Sequence, residues 1–409
     1  MNLTSAAQAI LLLTCYFGKA SNESVKPLSN GEWGRFALWL KDNMLSPADL
    51  LVADPSPLLA SWHDNRVTTE RILQLLGRGH SLALAMEKWH RAGLWVLTRS
   101  DSDYPKRLKT RLKNDSPPVL FGCGNKELLH SGGLAVVGSR NAVQSDLLFT
   151  QQVAAKAAAE AVTVVSGGAR GVDEAAMLGA LSQGGTVIGV MADSLLQAAT
   201  SAKWRQALMD GKLVLVSPFY PEAGFHAGNA MARNKYIYCL ADSALVVHSG
   251  PKGGTLNGAE ENLKHQWVPL WVKPTTDSEA TNTLLVTKGG HWCLPDSQSF
   301  STDMLFSSPV HPAMEHRCQE EQQQLFSPAD TTEPQVVGTT EQLAVTDFYK
   351  FFVISLSKLA AHPVTAEELS ARTLLHPSQL HDWLKRAVDD KQLIQLQNPM
   401  RYQYMKNNR

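Results

Sequence analysis

Three short Gly-rich stretches in this chain each carry a cation. They are Gly138-Ser139-Arg140, Ser166-Gly167-Gly168-Ala169-Arg170-Gly171 and Lys252-Gly253-Gly254-Thr255, and Arg233-Asn234-Lys235 falls between the second and the third. Glycine lets backbone N–H groups approach a ligand closely. Hydroxyls add neutral donors, while guanidinium and ammonium groups add charge. Such a set cradles phosphate, either consecutive phosphates of a nucleic-acid strand or those of one phosphorylated metabolite. No GxxxxGK[ST] is present, and no GxGxxG follows the first strand of this region. Walker-type nucleotide hydrolysis and dinucleotide redox chemistry therefore lose support.

Catalytic groupings are weaker. Asp173 stands where a helix should begin, and capping that helix is a simpler role for it than general base. Glu260 and Glu261 read as surface carboxylates. His291, Cys293, His311, His316 and Cys318 follow no defensible zinc spacing. Neither a metal, a cofactor nor a catalytic residue is expected. Phe219, Tyr220 and Phe225 either pack their own loop or stack on unpaired bases.

These residues need elements to bring them together. Leu134–Val137 and 162–165 are short apolar strands, and each runs into one of the Gly turns and then a helix. Further strands are expected at 186–191, 212–217, 244–248 and 268–272, with helices between them. Alternation of this kind predicts a doubly wound parallel sheet with both faces covered. The first two loops should then lie side by side at the carboxyl ends of neighbouring strands, where open α/β sheets bind ligands. Residues 218–230 read as a Pro/Gly/aromatic loop and 231–240 as a helix bearing Arg233. Upstream, 94–98 and 119–121 read as strands flanking a basic helix over 106–113. That run is either a solvated face or a phosphate contact.

The chain has 409 residues, so two to four domains are expected. Residues 1–95 show apolar positions at helical spacing and form a small helical domain. The core spans 96–300. Residues 301–342 are Gln/Glu-rich and without period, which reads as a flexible linker. Residues 343–409 combine helices near 347–359, from a capping box at Thr365–Glu368, and over 377–390 with a hairpin over 391–405, the order of a winged helix. Lys+Arg balance Asp+Glu at 38 each, so total charge does not argue for nucleic acid. Five scattered cysteines without a CxxC pair suit reduced thiols in a cytoplasmic protein. The apolar run over 6–17 is too short to span a bilayer, and no membrane association is expected.

Taken in order, these pieces resemble the DprA/Smf family of DNA-processing proteins. The resemblance runs from about Trp89 to Pro295. It is carried by Leu97-Thr98-Arg99-Ser100-Asp101, Asp103-Tyr104-Pro105, Pro117-Pro118-Val119-Leu120-Phe121, Val137-Gly138-Ser139-Arg140-Asn141, the 166–173 turn, Arg233-Asn234-Lys235 and 252–256. It implies an extended Rossmann-like parallel sheet core (fold class α/β) with an N-terminal helical, SAM-like domain and a C-terminal winged helix. It further implies non-catalytic binding of single-stranded DNA, a homodimer formed through the core, and loading of a RecA-type recombinase. On this basis the strand-contacting residues are Gly138, Ser139, Arg140, Ser166, Gly167, Arg170, Gly171, Arg233, Asn234, Lys235, Lys252, Gly253, Gly254 and Thr255. The chain has Met231-Ala232 where the family usually has a proline, Lys235 where a second arginine often follows, an insertion over 21–34, and no GxG helix–hairpin–helix near its start. Two alternatives stay open: a regulatory or antitoxin-like partner in a phage-defence or mobile-element setting, and a small-nucleotide binder or phosphohydrolase.

Overall fold

The computed structural model describes residues 3–18, 23–293 and 302–306, and in the C-terminal stretch residues 356, 359, 362–366, 368–369, 377–390, 392–396 and 401–404. The linker expected over 301–342 lies outside the described residues except for 302–306, as do His311, His316 and Cys318. The chain divides into two compact units, Met1–Glu321 and Gln322–Arg409.

The first unit is built on a nine-stranded sheet: β1 Trp95–Thr98, β2 Val119–Gly124, β3 Leu134–Val137, β4 Val164–Ser166, β5 Val187–Val190, β6 Leu213–Ser217, β7 Ser243–Val246, β8 Leu270–Val272 and β9 His291–Trp292. The spatial order is β1-β2-β6-β5-β4-β3-β7-β8-β9. From β6 to β9 every pairing is parallel, whereas β2 runs antiparallel to β6 and β1 antiparallel to β2. The six expected core strands are all present. The antiparallel edge and β9 were not anticipated, because a strand's partner lies far away in sequence.

Helices α6 Gln144–Ala159, α7 Val172–Ser182, and α8 Leu195–Thr200 with α9 Ala202–Met209 follow β3, β4 and β5 in turn. They pack on the sheet face that presents Val136, Val164, Val187 and Leu215. Helices α5 Lys106–Leu112, α10 Ala227–Leu240, α11 Gly254–His265 and α12 Asn282–Thr287 pack on the opposite face, with Ala135, Val165, Ile188 and Val246. Period-two alternation of apolar residues on both faces is what a doubly covered sheet demands. The chain winds from β3 to β6 under one face, then crosses through α10 to β7 on the other side of β3. The order of winding therefore reverses between β3 and β7.

Ahead of the sheet stand α1 Ser5–Thr14, α2 Asn30–Asp42, α3 Thr69–Leu76 and α4 Gly79–Arg91. Their buried residues, including Ile10, Phe36, Ile72 and Trp89, belong to the same apolar cluster as Phe121 and Leu215 of the sheet. Trp89 meets Phe121 edge-on at 4.9 Å between ring centroids. The described part of the 21–34 insertion is pinned rather than loose. Leu28 N–H donates to Leu13 O at 2.8 Å, and Arg71 reaches Lys26 O and Pro27 O, both at 3.1 Å. The short α13 Thr302–Phe306 is the last described element of this unit, with Ser243 Oγ donating to Leu305 O.

The second unit contains α14 Pro377–Asp389 and an antiparallel pair, β10 Leu393–Leu396 with β11 Arg401–Tyr404. Val364 bridges to Tyr402. Thr365 and Glu368 form the expected capping box, at 3.0 and 3.2 Å. Leu356, Leu369, Leu380, Leu384, Leu393 and Tyr402 form its core. Of the helix expected over 347–359, only Leu356 and Leu359 are described.

Candidate functional site

The loops leaving β4, β3 and β7 emerge from three adjacent strands, at the reversal of winding. A cavity of about 370 Å³ lies over them, lined by Gly138, Ser139, Arg140, Asn234, Lys252, Gly253, Gly254 and Thr255 among others. A second cavity of about 270 Å³ holds Gly167, Gly168, Arg170 and Asp193, and shares Arg140, Ala169, Phe225 and Arg233 with the first. Together they form one groove.

Backbone contacts set the loops. Ser139 N–H donates to His248 O at 2.9 Å, joining the first loop to the third. Gly171, at φ +94°, lies against the first loop so closely that a Cβ would come within 2.5 Å of Ser139 O. A side chain there would be strained by its φ and blocked by the loop. Asn234 Nδ2 donates to Gly254 O at 2.7 Å and staples α10 to the third loop. The N-termini of α7, α10 and α11 all open at the groove, through Asp173, Ala227 and Gly254. Free N–H groups and the positive end of the helix dipole favour anions at such positions.

Beneath the groove lies a buried ion pair. Arg233 is 4% exposed; its Nη1 donates to Val190 O at 2.7 Å and its Nη2 lies 3.5 Å from Asp173 Oδ2. Burial pushes the Asp173 carboxyl up. Attraction to Arg233 and the N–H groups of Gly138 and Gly167 pull the other way. Asp173 thus holds the first two loops and Arg233 at once, a wider structural role than capping one helix. Arg233 Nε is buried without a hydrogen-bond partner.

The cations that reach solvent are Arg140, Arg170 and Lys252, all exposed. Among the described residues none of the three has a carboxylate within ion-pair distance. Arg140 lies over the Phe225 ring at 4.8 Å, and Arg170 donates to Asn141 Oδ1 at 3.3 Å. Phe225 is 60% exposed, whereas Phe219 and Tyr220 pack against the two apolar clusters. Of the three loop aromatics, only Phe225 faces the groove.

Three of the expected contact residues line neither cavity, and one of them is Gly171, which packs on the first loop. Ser166 is fully buried and its Oγ donates to Val136 O at 2.6 Å, because strand alternation turns it inward below the loop. Lys235 lines a separate cavity with Arg111, Lys113 and Glu261, since one step along α10 rotates it by about 100° from Asn234. The start of α10 also differs from expectation. The helix begins at Ala227, four residues before Met231, and so brings its N-terminus into the groove. The sequence signal was weak there: His226 provides no side-chain cap, and Gly228 interrupts the opening turn.

The basic helix α5 is largely structural. Arg107 forms a bidentate pair with Asp242, at 2.9 and 3.1 Å. Arg111 Nη1 donates to the carbonyls of Tyr238, Cys239 and Ala241 at the end of α10. Glu260 pairs with Lys288. Among the described residues no cluster of His, Cys, Asp and Glu could hold a metal ion, and no helix is long and apolar enough to cross a membrane.

Residues 95–299 match the family model for DNA recombination-mediator protein A. Protein Smf of Escherichia coli is 33% identical over 163 residues, which is 39% of this chain and 43% of that protein's own length. DNA processing protein DprA of Bacillus subtilis is 26% identical over 234 residues, covering 54% of this chain and 78% of that protein. The X-ray structure of DNA processing protein A from Streptococcus pneumoniae superposes with a TM-score of 0.56 at 20% identity, over 76% of this chain and all of that one. At that identity the superposition establishes the shared fold.

Proposed function

The chain belongs to the DNA recombination-mediator protein A family, and from that premise we propose that it binds single-stranded DNA through the strand's phosphates and serves recombination without catalysing a reaction. One observation carries the proposal. Three Gly-rich loops on adjacent strands present Arg140, Arg170 and Lys252 to solvent, without carboxylate partners among the described residues, along two joined cavities. The groove extends past one phosphate site, from Lys252 to Arg170. That favours a strand over a small nucleotide. Of the two carboxylates lining the groove, Asp173 and Asp193, the first is already occupied by Arg233 and two N–H groups, which supports a structural rather than a proton-transfer role for it.

Titration of a labelled single-stranded oligonucleotide at increasing salt tests this reading. Affinity should fall log-linearly with salt, with a slope of about −0.7 per phosphate engaged. A chain that fails to shift a long oligonucleotide even at low salt is not of this type. Within the same proposal, the protein is cytoplasmic, pairs with a second copy through the sheet domain, and delivers strands to a RecA-type recombinase or to a partner protein held by the C-terminal unit. Sedimentation and pull-down with purified recombinase test the last two points.

A further inference from the structure

A separate cavity of about 590 Å³ shares a wall with the groove. That wall is the loop between β6 and α10, with the first turns of α10. Phe225, Ala227 and Ala230 line the groove, while Gly224, His226 and Asn229 line this cavity. Its lining is chemically the reverse of the groove's. Among the described residues it contains no lysine or arginine, but it gathers the rings of Tyr16, Phe121, Phe219, Tyr220 and Tyr236. The amides of Asn30 and Asn229 and the carboxylate of Glu222, which pairs with Lys88, also line it. The half-buried Asn229 amide has no hydrogen-bond partner among the described residues.

Such a cavity is poorly suited to a phosphate, because no described lining residue is a lysine or arginine and Lys88, at Glu222, is already paired with that carboxylate. It suits a flat, nitrogen-rich ring. Aromatic faces stack on any base, and an amide both donates and accepts, as base edges do. We propose that this cavity receives an unpaired nucleobase of the strand whose phosphates lie in the groove. The proposal rests on the single-strand reading above and extends it: the β6–α10 loop divides the strand, with its backbone on the Phe225 side and a base on the Asn229 side.

The test compares a mixed-sequence 20-nucleotide strand with a sugar–phosphate strand of the same length that lacks bases, both by fluorescence anisotropy on the full chain. Stacking of a base predicts about tenfold tighter binding of the base-bearing strand. Asn229→Ala and Tyr16→Ala, on two different elements, should each reduce that preference and leave the abasic strand's affinity as it was, which also shows that the variants are folded. Equal binding of the two strands by the unsubstituted protein overturns the base site alone. So does a preference that survives both substitutions. If neither strand binds, the phosphate groove itself is misassigned and the base site goes with it.

Discussion

Two classes of arginine meet at this groove, and they should respond oppositely to removal. Arg233 is buried against Asp173, so Arg233→Ala leaves a carboxylate uncompensated in the interior, at a cost of about 3–5 kcal/mol. Gly167→Ala should be comparably damaging, since its Cβ would stand 1.3 Å from Arg233 Nη1. Urea unfolding measures both. Arg140→Ala and Arg170→Ala touch exposed side chains and should shift stability by less than about 0.5 kcal/mol. They should instead weaken single-strand binding alike for all sequences, with a shallower salt slope. A further residue sets an acid limit. Burial works to raise the Glu32 carboxyl, but hydrogen bonds from Arg71 and from Ser29, together with the Arg71 charge, outweigh it and hold it at about 2, below its ordinary 4.5. A folded-state value below the unfolded one gives stability that is complete above about pH 4.5 and is lost as pH falls toward 2. Urea midpoints measured from pH 6 to pH 3 should therefore fall more steeply for the unsubstituted protein than for Glu32→Gln.

At the scale of elements, α5 shows how charge in a sequence can mislead. Five cations in eight residues suggest a nucleic-acid contact, yet Arg107 and Arg111 are committed to Asp242 and to the last carbonyls of α10. Helix ends leave such carbonyls without intrahelical partners. Arg111→Ala should cost about 1–3 kcal/mol, read by thermal melting, with little change in strand affinity at matched folding. The parallel strands β3 to β8 were legible because each is a near-continuous apolar run bounded by turns. The antiparallel pairing of β2 with β6 was not, because register between distant segments leaves no local signature. The same holds within the site. Glycine and arginine marked the loops, but that β7 lies beside β3, bringing the third loop to the first two, is a property of winding order. Helical rotation of Lys235 away from Asn234 was implicit in 3.6 residues per turn. It could be applied only once the neighbours of α10 were known.

Over the whole first unit, α1 to α4 and the sheet share one apolar cluster. Trp89→Ala should accordingly cost about 3–5 kcal/mol and melt the N-terminal helices and the sheet in one transition, which calorimetry can resolve. The edge of the sheet has a further consequence, for the order of assembly during synthesis. Trp89 packs on Phe121 of β2, and β2 is held by β6 through the pairing of Phe121 with Ser217. At ~5–20 residues per second, β6 emerges several seconds or more after β2. Until then the N-terminal helices face an edge strand whose partner has not been made. The groove loops of β3 and β4 are translated within that interval, so the groove forms on a sheet completed from both of its flanks, and its third loop arrives last.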